Sequence, residues 1–345
     1  MAILRRDVPL PVFMCVDHGA LTRIRPLLSE RNVFLKKCLI VTGDEPLHSI
    51  ARSVAREIGC PSDILIVRDS TLAETAVVQK AIDRGAPDAV IGVGGGVAID
   101  VAKYAASEKA VGFISIPTAV SNDGISSPIA VIKCKGRTRS LNAHMPMAVI
   151  ADLDVIQKSP VRTIRSGMGD LVSNLSACAD WRLAWHKGKD RIDDFAETIS
   201  RNAAIQLIEH RSAALNGSAL LKTLIEGLIM SGIAMGITGS SRPSSGAEHM
   251  ISHAIDLLYH RGSSHGEQVG VATLFTLHLH HIKTDAVRRM FTRFSMAATP
   301  AALGLSRKEF LCSVRKAPEM RRGRYSILDE TDVKTIEKAY HAVFP

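Results

Sequence analysis

Residues 89–103 read AVIGVGGGVAIDVAK. The apolar residues around Gly92 make a short buried strand, and three consecutive glycines, Gly94, Gly95 and Gly96, end it. Ile99, Val101 and Ala102 then resume at helical spacing, so the unit is strand, glycine turn, helix. Glycines at such a turn let the backbone approach a ligand, and the helix start offers free N–H groups to a phosphate. GVGGGVA lacks a glycine at the sixth position of the GxGxxG fingerprint. By itself the stretch therefore fits either a nucleotide seat or a bare strand-to-helix turn.

The flanking sequence decides the fold class. Strands are expected at 37–41 (KCLIV), 63–67 (DILIV) and 112–116 (GFISI), with later ones at 129–134 and 148–151 around a basic turn, KGRTR. Helices fall at 46–58, where Ile50, Val54 and Ile58 recur every four residues, and at 71–84. This alternation predicts an α/β domain with a parallel Rossmann-like sheet covered on both faces. After about residue 154 strand signals fade, and helix-length amphipathic segments follow at 171–185, 194–210, 219–235 and 269–281. The expected division is an α/β nucleotide-binding domain at 1–158 and an all-α, metal- and substrate-binding domain at 159–345.

Composition narrows the function. No apolar run is expected to span a membrane, and the N-terminus lacks a signal-peptide pattern. Six cysteines without a CxxC read as reduced thiols of a cytoplasmic protein. The net charge of +9 favours acidic partners, but the basic residues are dispersed and no aromatic-interleaved basic module is present. That argues against nucleic acid and for a small phosphorylated substrate. The chain is expected to act as a homo-oligomer without membrane insertion.

Two places could carry chemistry. The loop 117–128, PTAVSNDGISSP, gathers hydroxyls and an amide at the end of a strand, where α/β sheets place ligand contacts. In the helical half, His249 and His253 are four residues apart and share a helix face, with His265 in SSHGEQVG, beyond a loop containing Arg261, and Asp170 in SGMGDLVSN. Two imidazoles and a carboxylate suit a divalent transition metal. With 13 histidines in the chain, however, an i, i+4 pair also arises by chance. His278, His280 and His281 lack a carboxylate nearby and read as packing or surface residues. Asp44 suits an adenosine ribose or a helix cap, and Arg242 suits a substrate phosphate or an ordinary surface position.

Taken in order, GVGGGVAIDVAK, ISIPTAVSNDGISSP, GMGDLVSNLSA, SRPSSGAEHMISHAID, HGEQVGVAT and the tail KAPEMRRGRYSIL resemble the sn-glycerol-1-phosphate dehydrogenases. That family belongs to the iron-containing alcohol dehydrogenase and dehydroquinate synthase superfamily. The resemblance implies a metal held by Asp170, His249 and His265, with His253 facing the substrate and Asp123 contacting it. It implies NAD or NADP against Gly94, Gly95, Gly96, Val97, Ala98 and Asp100, against Thr118, Ala119, Val120 and Ser121, and against Ser127.

Asn174 stands where iron-dependent relatives carry a ligand histidine. Three ligands and an open position suit zinc over iron, with nickel also compatible. The implied reaction interconverts dihydroxyacetone phosphate and sn-glycerol 1-phosphate, with a proton moving through His253, relayed by Asp123 or water. Asn122 departs from the Ser-His-Asp of archaeal members and bears on the choice of substrate. The rival readings are another phosphorylated or polyol substrate, a dehydroquinate synthase-like cyclase or lyase, and a non-catalytic nucleic-acid or nucleotide-binding protein.

Overall fold

A computed structural model describes residues 10–134, 137–212, 214–259 and 262–345. Lys135 and Gly136 of the expected basic turn, Arg261, and residues 1–9 lie outside the described residues. The chain divides into two compact units between Pro160 and Val161.

The first unit contains eight strands: β1 (Phe13–Asp17), β2 (Cys38–Thr42), β3 (Ser62–Ile66), β4 (Ala89–Gly94), β5 (Gly112–Pro117), β6 (Ile129–Cys134), β7 (Arg137–Asn142) and β8 (Ala148–Asp152). Six of them form one parallel sheet in the order β1-β8-β5-β4-β2-β3. Every residue of β2, β4 and β8 is buried. This is why CLIVT, AVIGVG and AVIAD are continuous apolar runs: a parallel strand covered by helices on both faces has no solvent side. Burying each Ile or Val there contributes about 1.5–3 kcal/mol.

β6 and β7 stand apart as an antiparallel hairpin. Sequence pattern passed over β7, because RTRSLN has no apolar period; pairing with β6 makes it a strand. It also passed over β1, a short edge strand registered on β8 from Phe13↔Ala148 to Asp17↔Asp152.

The sheet order fixes where a ligand belongs. From β2 the chain runs through the helix Leu47–Ile58 to β3, on one side; from β4 it runs through the helix Gly96–Glu108 to β5, on the other. β2 and β4 are neighbours, with Thr42 opposite Val93. Their carboxyl ends therefore flank a topological switch point, where such sheets open a crevice.

The second unit has no strand among its described residues. Its longer helices are Val161–Val172, Asn174–His186, Asp194–Glu209, Ser218–Thr238, Ala247–Tyr259 and His265–Leu279. The single helix expected at 171–185 is broken at Ser173, whose hydroxyl donates to the Asp170 carbonyl at 2.6 Å. A side chain that takes up a carbonyl of the preceding turn competes with the helix ladder.

The Ser218–Thr238 helix corrects a second expectation. It is long and apolar enough to cross a membrane. Its leucines and isoleucines at 220, 221, 224, 225, 228 and 229 are buried within the unit, and it packs on the helices Asp194–Glu209 and Val161–Val172. A helix enclosed by protein becomes apolar all round for that reason alone.

Candidate active site

The second unit assembles its site through a close backbone approach. A Cβ on Gly266 would overlap the carbonyl oxygen of Ser166, and one on Gly169 would overlap the carbonyl of Gly266. Only glycine permits the start of His265–Leu279 to lie so near Val161–Val172. The Gly266 N–H also donates to the Ser166 hydroxyl at 3.2 Å. His265 and Asp170 are thereby neighbours, and the Ala247–Tyr259 helix, packed on His265–Leu279, adds His249. Ligand atoms of Asp170, His249 and His265 lie within 4.8 Å of one another.

Neighbouring side chains orient both imidazoles. His249 Nδ1 bonds the Glu248 carboxylate at 2.9 Å, which leaves Nε2 facing Asp170 Oδ1 at 3.5 Å. His265 Nδ1 bonds the Ser252 hydroxyl at 3.1 Å, leaving its Nε2 3.7 Å from the same oxygen. Ser252 in turn donates to Gln268 Oε1 at 2.7 Å. Partners on the non-ligating nitrogen fix ring orientation and raise ligand basicity in metal sites. Burial opposes charge on His249, yet Asp170 and Glu248 outweigh it and hold this imidazole up at about 9. Burial, joined by His249, lowers His265 in spite of Asp170. The cluster thus favours one added positive charge, and its donor set fits a divalent transition metal. His253 is outside the triad; its ring lies 5.9 Å from that of His265.

In the first unit the glycine turn leaves β4 with Gly94 at φ +153°, a backbone conformation suited to glycine. The helix that follows starts at Gly96 with no side-chain cap and no acidic residue in its first turn. A Cβ on Gly95 or Gly96 would meet nothing within 4 Å. Open space before uncapped N–H groups fits a pyrophosphate. Val97 is exposed and Ala98 buried.

The Thr118 N–H donates to the Gly94 carbonyl at 3.0 Å, joining the 118–121 loop to this turn. Ala119 and Ser121 are partly exposed, whereas Val120 is buried. Ser127 is buried as well and reaches the Ile129 carbonyl at 3.4 Å. Asp100 is enclosed, 3.3 Å from the Nζ of fully buried Lys103, and burial raises its carboxyl despite that lysine. Lys103 also donates to the Gly124 carbonyl at 2.7 Å. The Asp100–Lys103 pair therefore supports the turn that begins at Asp123.

Residues 15–160 match the family described as iron-containing alcohol dehydrogenase. The whole chain has near relatives. It is 37% identical to a glycerol-1-phosphate dehydrogenase (NAD(P)+) of Metallosphaera sedula, over 96% of this chain and 95% of that protein. It is 37% identical to one from Methanothermobacter thermautotrophicus, over 86% of each. The chain belongs to the glycerol-1-phosphate dehydrogenase family.

Solved structures of similar fold include a glycerol dehydrogenase from Schizosaccharomyces pombe (TM-score 0.79, 23% identity, covering 98% of this chain and 90% of that one). Another is a probable glycerol dehydrogenase from Sinorhizobium meliloti (TM-score 0.78, 20% identity, 98% of each). At these identities the likeness concerns the fold.

Within this glycerol-1-phosphate dehydrogenase family member, several side chains singled out in the sequence are engaged by neighbouring protein groups. Asn174 is buried and turned to the Ser200 carbonyl and the Ser231 hydroxyl, at 3.3 and 3.2 Å. Asn122 accepts from the Gly124 N–H at 2.9 Å and caps the Asp123–Ile125 turn. Arg242 is buried, bound to Asp190 at 2.5 Å and to the Tyr325 carbonyl at 2.8 Å.

His280 does have a carboxylate partner, Asp180 at 2.8 Å. That same buried carboxylate receives the N–H groups of Ala247 and Ile327. Asp44 caps no helix with its side chain; it forms a two-point pair with Arg68 at 2.9 and 3.0 Å, beyond the end of β2. Glu248, Ser252, Gln268 and Lys103 were missed in the sequence. Only the adjacency of Glu248 to His249 could have drawn attention.

Proposed function

We propose that this protein is an NAD(P)-dependent glycerol-1-phosphate dehydrogenase, interconverting dihydroxyacetone phosphate and sn-glycerol 1-phosphate with one divalent metal. The observation that carries the reading is the convergence of Asp170, His249 and His265, in a chain whose relatives bear that name. These three residues would hold the metal; zinc suits two imidazoles and a carboxylate, and nickel and iron are the alternatives for the loading experiment. When bound, a metal here supplies Lewis-acid polarisation of the substrate oxygen, and NAD(P)(H) supplies or accepts the hydride.

The remaining work falls to side chains. Glu248 and Ser252 keep the two ligating rings in register. His253, beside His265 but outside the ligand set, is the group we assign to carry a proton between its ring nitrogen and the substrate oxygen. Asp123 is assigned to hold the substrate. The uncapped start of Gly96–Glu108 is the seat assigned to the cofactor's pyrophosphate, with the 118–121 loop and Ser127 beside it. Six free thiols support a reducing, cytoplasmic setting.

Purified protein loaded with zinc, mixed with NADH or NADPH and dihydroxyacetone phosphate, should consume absorbance at 340 nm. Chelation should stop the reaction and zinc restore it, and the product should be the sn-1 isomer. Bound cofactor without oxidation would remove this substrate. A cycle with no net change at 340 nm would point to cyclase chemistry.

A further inference from the structure

The tail segment 321–324 was singled out in the sequence only as a family ending, yet it places two guanidinium groups beside the candidate site. The Ala317–Arg321 turn packs on the Ala247–Tyr259 helix, which carries His249 and His253. Arg321 donates to the Ser241 hydroxyl at 2.6 Å, and Arg324 donates to the same oxygen at 3.1 Å. Arg324 also donates to the Ser245 carbonyl at 2.5 Å. Two cations thus grip one hydroxyl.

The charge balance there is unusual. Arg242, the third cation nearby, is matched by Asp190. Arg324 bonds neutral acceptors, and burial together with Arg321 and Arg242 pushes it down to about 9. A guanidinium does not give up its proton in a protein, so Arg324, with only Glu248 and Asp190 opposing that push, would be stabilised further by an anion.

Ser245 adds a donor that lacks an acceptor. Ser245 is 4% exposed and its hydroxyl has no hydrogen-bond partner. The first amides of the adjacent helix are already spoken for: Gly246 N–H donates to Glu248 and Ala247 N–H to Asp180. An anion here would be held by the arginines and the serine rather than by the helix start.

We infer that Arg321, Arg324 and Ser245 form a seat for a phosphomonoester dianion, and that this seat selects the phosphorylated substrate. Forked guanidiniums match phosphate oxygens two at a time, and a serine hydroxyl adds a donor. The inference deepens the proposed function and rests on it for the identity of the phosphoester.

The test is calorimetric titration of sn-glycerol 1-phosphate, and separately of inorganic phosphate, into the zinc-loaded full chain. Arg324→Gln and Ser245→Ala are compared with the wild type, and Arg322→Gln, on an exposed neighbour, is the control. Circular dichroism and NADH binding verify that each variant is folded. Arg324→Gln should weaken both ligands by about 30-fold or more and Ser245→Ala by about fivefold, with Arg322→Gln unchanged. The ratio of kcat/KM for dihydroxyacetone phosphate over dihydroxyacetone should fall by a similar factor in Arg324→Gln.

Loss of inorganic phosphate binding in the variants, in a protein that never turns over dihydroxyacetone phosphate, supports the seat and removes the proposed substrate. Unchanged phosphate affinity in folded Arg324→Gln and Ser245→Ala, with wild-type turnover intact, overturns the seat and leaves the dehydrogenase reading standing.

Discussion

Gly266 and Ser166 meet backbone to backbone: a methyl group on the Gly266 α-carbon would occupy the space of the Ser166 carbonyl oxygen. This contact lets His265, the preceding residue, stand within reach of Asp170 on the opposite helix. Metal affinity at the proposed site would therefore be coupled to a packing contact one residue away from a proposed ligand.

Gly266→Ala should separate the two helices. Overpacking of this kind costs about 1–3 kcal/mol, and the relaxed helices would carry the His265 ring away from Asp170. Zinc affinity, measured by competition with a chromogenic chelator, should drop at least about tenfold, and the melting temperature should fall by several degrees. A variant that keeps wild-type zinc affinity would show that the ligand geometry does not depend on this contact.

His253→Ala addresses the proton path. The ring lies against His265 yet outside the three-residue cluster. Turnover should fall by about 10²–10⁴, the range for losing a general acid–base group, while bound metal, quantified by atomic absorption, stays at one equivalent. Loss of metal alongside activity would make His253 a ligand instead.

Glu248→Gln tests the support of His249. The buried carboxylate accepts hydrogen bonds from the His249 Nδ1–H, the Ser176 hydroxyl and the Gly246 N–H. An amide cannot accept all three in the same way. Zinc affinity should weaken about 10–100-fold, the usual cost of losing an outer partner of a ligating histidine, with the fold retained by circular dichroism.

The legibility of this chain follows from what each feature depends on. β2, β4 and β8 are buried on both faces, so their apolar runs announced them. β7 is a strand because of its partner, and β1 because of its neighbour β8; neither reason is visible in five or six residues of local pattern. The approach of Asp170, His249 and His265 could be anticipated from motifs in a fixed order, but spacing alone left the histidine pair ambiguous. Glu248 acts on the adjacent His249 but is held by Ser176, 72 residues away, and Ser252 acts on His265, 13 residues away. Asp180, which ties His280, Ala247 and Ile327 together, is a long-range contact of the same sort. Arg242 looked like a site residue because of where it falls in the motifs; its side chain is consumed by Asp190.

Asp44 and Arg68 allow a test of the choice between NAD and NADP. They pair beyond the end of β2, at the switch point, with side-chain exposures of 55% and 71%. Such a surface pair contributes at most about 1 kcal/mol to stability, so breaking it leaves the fold intact and isolates any effect on the cofactor. A carboxylate at this place would accept from the ribose 2′-hydroxyl of NAD and repel a 2′-phosphate, whereas an arginine would accommodate that phosphate. With both present, each restrains the other. Arg68→Ala should raise the KM for NADPH by about tenfold and change that for NADH little. Asp44→Ala should do the opposite, weakening NADH and improving NADPH. Initial rates at 340 nm with each cofactor provide the measurement, and melting curves confirm that stability moved by no more than the pair's small share. Equal effects of either substitution on the two cofactors would mean that the ribose binds away from this pair.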